Sequence, residues 1–435
     1  MSASVPVAYQ PNPAPIDTTS TTCCIAGGGP GGAVLGLLLA RQDVPVLLLE
    51  AHQDFDREFR GDTVHPSTME ILDEIGLAAP LHELPHTKAY GPVLNTRDGP
   101  FAPVDLRRLK TRFAYIMLIP QKTFIEFIVA EAKKYRNFQV LMGANVQRLT
   151  RENGAVCGVR YMGHDGWHEV RALLTIGADG RFSQVRHLAG IEPVQISASI
   201  DVLWTRLPRL PSDPEVPTGF LGSIRDGRIL IVFDRNDYWQ VAYVFPKGQY
   251  RQLRAAGVES MCRAIAKLEP RFAKHVETLT DWRQFSLLSV EASRCPRWYK
   301  PGLLLIGDAA HVMSPVGGLG INYAIQDAVE AANVLAAPLK SGRLTLHDLA
   351  EVQRRREFPT RFIQALQSMV QKRIISERLF SMDTIRIPWY LRLLVRIPVL
   401  RDVPARLIAF GIKRVHVNPS PNAESGGTAQ SPARS

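Results

Sequence analysis

Three glycines and one acid near the start of the chain have types and spacing that suit a nucleotide. Gly27-x-Gly29-x-x-Gly32 stands between a β-prone run, Thr21 to Ala26, and an apolar helical run. In such a turn Gly27 allows the tight bend, Gly29 lets the backbone approach a pyrophosphate, and Gly32 lets helix and strand pack closely. Pro30 and Gly31 open the helix, where the missing N–H of proline is harmless, and the helix start faces the phosphates. Glu50 closes the apolar run Val44 to Leu49, 18 residues beyond Gly32 (50 − 32). That is near the spacing at which an acid meets a ribose diol. The motif alone does not separate NAD from FAD. Without its context it could be a structural turn with Glu50 in solvent.

Two later stretches carry the same kind of signal. In "LLLIGDAAHVMSPVGGLGINYAIQDAVEAANVLA", 303–336, an apolar strand ends at Gly307-Asp308, a Pro-Gly loop follows, and a helix is expected from near Gly318. Asp308 at a strand end can accept hydrogen bonds from a polyol, and the helix can turn its positive end toward a developing anion such as a reduced flavin. A strand–loop–helix unit with an Asp cap reads the same way. In "TIGADGRFSQVR", 175–186, a buried strand ends at Ala178 and Asp179-Gly180 turns the chain. A capped turn with an Asp–Arg pair would give the same pattern.

Together the three stretches resemble the FAD-dependent monooxygenases of the p-hydroxybenzoate hydroxylase fold, the single-component aromatic hydroxylases. The resemblance runs in order from about residue 21 to 340. It implies that Gly27, Gly29, Pro30, Gly31 and Gly32 hold the FAD pyrophosphate and that Glu50 holds the adenosine ribose. By the same resemblance Asp179 and Gly180 help to place FAD and NAD(P)H, and Gly307 and Asp308 bind the ribityl chain. The loop Pro315 to Asn322, with Gly318, Gly320 and Ile321, resembles the family segment that surrounds the isoalloxazine. "FRGDTVHPSTMEIL", 59–72, and "IPQKTFIEFI", 119–128, resemble family segments that bring Arg60 to the cofactor and Gln121 to the ribityl chain. Val146 matches a position whose backbone meets adenine. Arg60, Gln121 and Val146 could each be ordinary scaffold. His65 and His311 read as structural rather than as catalytic bases. No catalytic acid–base residue is assignable. The implied reaction is hydride transfer from NADPH or NADH to FAD, O2 addition to a C4a-hydroperoxyflavin, and hydroxylation of an aromatic or otherwise electron-rich small molecule.

The elements that must position these residues follow from periodicity. Val44 to Leu49, Ala172 to Ala178 and Leu303 to Ile306 are continuous apolar runs, as buried parallel strands should be. Residues 68–76 and 123–135 have helical spacing. Gly227 to Asp234 and Tyr238 to Phe245 alternate and are joined by Arg235-Asn236-Asp237, a hairpin signature. The expected architecture is α/β: a doubly wound FAD-binding (Rossmann-like) domain with an inserted antiparallel-sheet substrate domain and a C-terminal helical segment. The boundaries expected are a disordered leader 1–20, FAD-binding parts 21–76, 117–186 and 295–343, substrate parts 77–116 and 187–294, a helical region 344–417 in which Pro359 kinks the helix, and a disordered tail 418–435. Trp204, Arg206, Trp239 and Tyr243, on the strands "VLWTRL" and "YWQVAYVF", are candidate substrate contacts. Each could instead pack the sheet.

Composition bounds the rest. The chain has 435 residues, 46% hydrophobic and 21% charged, so two or three domains are expected. Lys plus Arg exceed Asp plus Glu by 52 − 41 = 11, which suits anionic nucleotides or anionic lipid. No basic run with interleaved aromatics points to nucleic acid. Five cysteines, an odd number with no C-x-x-C pair, suggest a reducing compartment and no metal site. The apolar run Ala33 to Ala40 is too short to span a bilayer. Segment 385–416 interleaves Trp389, Tyr390 and leucines with Arg386, Arg392, Arg396, Arg401 and Arg406. It suits either peripheral contact with an anionic membrane or a helical cover on the protein. Pro388, Pro398 and Pro404 favour the cover. The expectation is a cytoplasmic enzyme, monomer or homodimer. A flavin-dependent halogenase is disfavoured because no W-x-W-x-I-P stretch occurs. A reductase or dehydrogenase of the same fold would carry the same cofactor motifs, and so would a flavin-binding protein without turnover.

Overall fold

The structure is a computed structural model. It describes residues 14–419 except 57–61, 92, 97–98, 103, 197–198, 215, 217–218, 226–227, 376–396 and 398–400. In chain order the α-helices are α1 (Pro30–Ala40), α2 (Pro66–Glu74), α3 (Ala78–His82), α4 (Gln121–Ala132), α5 (Gln184–Leu188), α6 (Tyr250–Ala255), α7 (Val258–Leu268), α8 (Gly320–Ser341), α9 (Leu346–Ile375) and α10 (Val403–Phe410).

The largest sheet orders its strands Tyr299–Lys300, Leu303–Leu305, Trp167–Gly177, Thr18–Ala26, Val46–Glu50 and Phe138–Met142. The last five run parallel. Every residue of Val46–Glu50 is buried, which explains its unbroken apolar run. Asn145–Glu152 and Ala155–Met162 join this sheet as an antiparallel ribbon. Helix α1 is apolar all round because it lies between the sheet, α4 and α8. The approach is close: a Cβ on Gly36 would lie 2.8 Å from the Phe138 ring.

A second sheet orders Ser286–Ser289, Ile200–Pro208, Tyr238–Pro246, Arg228–Asp234, Phe220–Arg225, Val93–Thr96 and Gly99–Phe101. Its hairpin pairs Asp234 with Trp239, as the alternation around residues 235–237 implies. One face, with Leu203, Leu230, Val232, Val241 and Phe245, packs on Met261, Ile265 and Leu268 of α7. Those three recur at helical spacing, so α7 buries one stripe. The other face, with Val202, Ala242 and Val244, looks toward Val316 of the large-sheet unit.

Several expectations need correction. The leader does not extend through residue 20. Thr18–Ala26 is one strand, with Thr18 opposite Glu169, and Ile16 N–H donates to the Trp167 carbonyl at 2.7 Å. The Thr-rich run has β-propensity and finds an edge in the long strand Trp167–Gly177. Residues 1–13 lie outside the described residues. Helix α8 begins at Gly320 rather than Gly318, because Gly317 and Gly318 take left-handed φ of 81° and 65°. At the far end Asn418 N–H donates to Asn333 at 2.9 Å, so the ordered chain passes residue 417.

Of segment 385–416, residues 397 and 401–416 are described. There Ala405, Ala409 and Phe410 of α10 pack on Val104, Leu106 and Leu109. The apolar face of α10 is therefore covered by protein. Among the described residues, no helix is long and apolar enough to cross a membrane.

Burial sets a stability contrast. Ile265→Ala, in the α7 core, should cost about 2–5 kcal/mol in urea unfolding. Phe362→Lys, on the exposed side of α9, should stay within about 0.5 kcal/mol of the parent.

Candidate functional site

The carboxyl ends of the parallel strands bring the three glycine-bearing stretches to one edge, where an open α/β sheet binds ligands. Gly27 ends its strand at φ 109°, and its N–H donates to the Leu49 carbonyl at 2.8 Å. A Cβ there would lie 2.4 Å from the Ala178 carbonyl oxygen, and a Cβ on Gly32 would lie 2.0 Å from that of Gly27. Both are backbone obstacles that cannot move aside. A Cβ on Gly29 would meet nothing within 4 Å, so the space in front of α1 is open. Gly31 packs against Ala324 of α8. Glu50 is buried at the adjacent strand end. It accepts from Gly28 N–H at 2.8 Å and His52 N–H at 3.1 Å. Val146 is buried in Asn145–Glu152, and the neighbouring Ala144 N–H donates to the Glu50 carbonyl at 2.8 Å.

Asp179 is half-buried and supports the start of α5, whose N-cap is Ser183. It accepts from the Ser183 hydroxyl and, at 2.9 Å, from Val185 N–H. Burial pushes its carboxyl up, against those hydrogen bonds. Gly180 takes φ 82° in open space. The Asp–Arg pair of the alternative reading is not what Arg186 makes. Arg186 instead donates to the carbonyls of Ala309 at 3.0 Å and Arg181 at 2.9 Å. It thereby ties this turn to the short 3-10 turn Gly307–Ala309 that carries half-buried Asp308.

Beneath that turn lies a charge network that sequence reading missed. Asp327, 0% exposed, accepts from Gly307 N–H at 3.0 Å, His311 Nε2 at 2.6 Å and Arg356 Nε at 2.7 Å. Burial opposes its ionisation, yet the charges of His311 and Arg356 hold its carboxyl below the usual range. His311 is thus structural. The one sequence signal for it was helical spacing on α9, where Gln353, Arg356, Thr360, Gln364, Gln367 and Gln371 fall on one buried face.

The loop Pro315 to Asn322 is clamped from below. Asn322 uses its whole side chain internally. Its Oδ1 accepts from His65 N–H and the Thr68 hydroxyl, both at 2.8 Å. Its Nδ2 donates to the Thr63 carbonyl at 3.2 Å and the Gly318 carbonyl at 3.3 Å. A Cβ on Gly318 would lie 2.8 Å from the Thr63 hydroxyl. Ile321 packs on the main core and Gly320 starts α8. His65 is fully buried, its Nδ1 2.8 Å from the Ile408 carbonyl of α10. Burial lowers it to about 4.

Gln121 opens α4, and its N–H donates to Asp62 at 3.3 Å. Asp62 also meets Arg235 of the hairpin tip at 3.3 Å. Burial raises the Asp62 carboxyl, opposed by Arg235, the Gln121 N–H, the Gln240 side chain and Arg206. Arg60 lies outside the described residues.

The four aromatic and basic substrate candidates divide between faces. Trp204 and Arg206 share the face with Val202, the former stacked near Phe233 and the latter over Tyr238. Trp239 and Tyr243 are a correction: they sit on the opposite face, in the α7 core. Trp239 Nε1 donates to Asp213 at 2.8 Å. Side chains alternate along a strand, so an odd offset from Gln240 and Ala242 sends both away from the loop.

The arrangement fits a dinucleotide. It has open space before a helix start, a buried acid at the neighbouring strand end, and glycines where any Cβ would strike backbone. Among the described residues no group of three or more His, Cys, Asp or Glu is placed to hold a metal ion.

The FAD binding domain family matches residues 20–365. The 6-methylpretetramide 4-monooxygenase of Streptomyces rimosus is 33% identical over 93% of this chain and 95% of its own length. Three further curated relatives are matched over 57% to 63% of their length. The solved structure of pqsL, a probable FAD-dependent monooxygenase from Pseudomonas aeruginosa, superposes with TM-score 0.72 at 21% identity, over 83% of this chain and 99% of that one. The OxyS anhydrotetracycline hydroxylase of Streptomyces rimosus does so with TM-score 0.72 at 24% identity, over 90% and 76%.

Two outcomes check the geometry. Gly29→Ala should remain folded yet bind FAD at least roughly tenfold more weakly in a fluorescence titration if the open space before α1, which its methyl enters, takes the phosphates. Gly32→Ala should cost on the order of 3 kcal/mol or more of stability. His65 titrates near 4 folded and near 6.5 unfolded, so the unfolded chain binds the extra proton between those values. Stability should fall by on the order of 3 kcal/mol as pH drops from 6.5 to 4. His65→Asn should flatten that part of the denaturation profile.

Proposed function

The chain belongs to the FAD-dependent aromatic monooxygenases, and on that premise we propose that it hydroxylates a fused polycyclic phenol of the polyketide kind, with NAD(P)H and O2 as co-substrates. The carrying observation is the sheet face turned toward the loop. Val202, Ile229, Ile231, Ala242, Val244, Leu288 and Val290 form a broad aliphatic wall beside Val316. Polar groups lie toward the hairpin tip, where Arg206, Gln240 and Arg235 gather around Asp62. A flat apolar wall with polar groups at one end fits several fused rings with oxygens along one edge. A single ring bearing a carboxylate would call for a cation in the middle of the wall. The full-length relative named for a pretetramide supports the same class.

In this reading Gly27, Gly29, Pro30, Gly31 and Gly32 with the α1 start hold the FAD pyrophosphate, Glu50 the ribose, and Val146 the adenine side. Asp179-Gly180 shapes the cofactor edge. Gly307-Asp308 and Gln121 meet the ribityl chain, and Pro315 to Asn322 borders the flavin ring. Bound FAD supplies hydride acceptance and O2 activation. The chain's residues exclude water, orient the substrate against Trp204 and Arg206, and present backbone N–H groups to negative charge. Among them α10 acts as a cover over α2 rather than as a membrane element.

The test is NAD(P)H consumption coupled to product mass under 18O2. A tetracyclic polyhydroxylated aromatic should gain one labelled oxygen and stimulate NAD(P)H oxidation well above p-hydroxybenzoate or simple phenols. Equal or better turnover of single-ring phenols would overturn the substrate class. Flavin reduction without labelled product from any aromatic would favour a reductase.

A further inference from the structure

Helix α9 buries the wrong chemistry for an ordinary surface helix. Gln353, Arg356, Thr360, Gln364, Gln367 and Gln371 face inward and are buried, while Phe358 (65% exposed), Phe362 (40%) and Met369 (49%) face out. A buried amide without partners costs roughly 1–3 kcal/mol, so the inward glutamines require acceptors. They find them in the backbone of two short strands and of the loop that follows. Gln364 Nε2 donates to the carbonyls of Ser293 at 2.9 Å and Val312 at 3.0 Å. Gln367 Nε2 donates to those of Ser314 at 2.9 Å and Val316 at 2.8 Å. Gln371 Nε2 donates to the Ser314 hydroxyl, which accepts from Val316 N–H at 3.3 Å. The Gln367 Oε1 has no partner among the described residues. Its donor edge is therefore what this position uses.

The peptide plane turns this clamp into a functional device. None of the described peptide bonds is cis, and in a trans peptide C=O and N–H point to opposite sides. Drawing the Val316 carbonyl toward Gln367 turns the Gly317 N–H away from α9. The glycine at 317 permits this, since its φ is 81°. Two residues on, the Gly318 carbonyl is held by the Thr63 hydroxyl at 3.0 Å. The loop backbone is thus gripped from α9 on one side and from the segment before α2 on the other.

We propose that Gln367 is a positioning residue for the flavin. It aims the Gly317 N–H, together with the first-turn N–H groups of α8, at the negative charge that FAD acquires on reduction, and so raises the flavin's reduction potential. The inference rests on the FAD reading given above.

The test compares Gln367→Met with Gln364→Met in FAD-loaded full-length protein, reading thermal stability, FAD affinity and flavin midpoint potential. Both variants lose carbonyl partners and should melt earlier. Only Gln367→Met should lower the potential. Losing one hydrogen bond to charge should weaken binding of reduced FAD about tenfold relative to oxidised FAD, or about 30 mV for a two-electron couple. If Gln367→Met does not fold, Gln367→Leu gives the same readout, since it too offers the two carbonyls no donor. An unchanged potential in the variant that folds, or an equal fall in Gln364→Met, overturns the proposal while leaving the FAD reading intact. A parent protein that takes up no FAD on reconstitution overturns the FAD reading and this inference with it.

Discussion

A largely buried stretch of backbone, residues 306 to 319, is the constraint on which the rest of the structure depends. Most of its peptide groups have left water without entering a long sheet or helix, and each unmet group would cost roughly 1–3 kcal/mol. The chain meets this demand with side chains drawn from distant segments. Asp327 takes the Gly307 N–H, Arg186 holds the Ala309 carbonyl, and Gln364 and Gln367 hold carbonyls from Val312 to Val316. Thr63 and Asn322 hold Gly318. Such a loop has one shape because its partners over-determine it, as a site that must present backbone N–H groups requires.

Charge enters this scaffold at a cost that is met locally. Arg356 and Asp327 are both 0% exposed, and a buried pair of this kind contributes little net stability relative to apolar packing. Its effect lies in orientation. His311 and Arg356 keep Asp327 ionised, and an ionised Asp327 is the acceptor that fixes the start of the Gly307–Ala309 turn. Removing Arg356 would leave a buried carboxylate whose easiest escape is protonation, with loss of one acceptor.

The two sheets contribute different surfaces to one site. The large sheet offers its carboxyl edge, where strand ends and helix starts suit phosphate and polyol. The second sheet offers a face, aliphatic in its centre and polar at the hairpin tip. Asp62 and Arg235 join the two at that tip, with Gln121 N–H on the other carboxylate oxygen. Any shift of the hairpin therefore reaches the segment before α2 and the start of α4 together.

Much of this was legible in the amino-acid order. Unbroken apolar runs marked the buried parallel strands, alternation marked the hairpin, and the glycine spacing marked the turn before α1, because each reports a local geometry that a few neighbouring residues dictate. The resemblance of three ordered motifs to aromatic hydroxylases carried the cofactor and the reaction class. Tertiary structure alone decided which strand face meets the loop, and so moved Trp239 and Tyr243 into the α7 core while leaving Trp204 and Arg206 on the face shared with Val202. It alone paired Asp327 with Arg356 and gave Asn322 an internal clamp. It alone gave the glutamines of α9 their carbonyls. Period and propensity describe a residue's neighbours along the chain, whereas a buried polar group is explained only by the partner that folding brings to it.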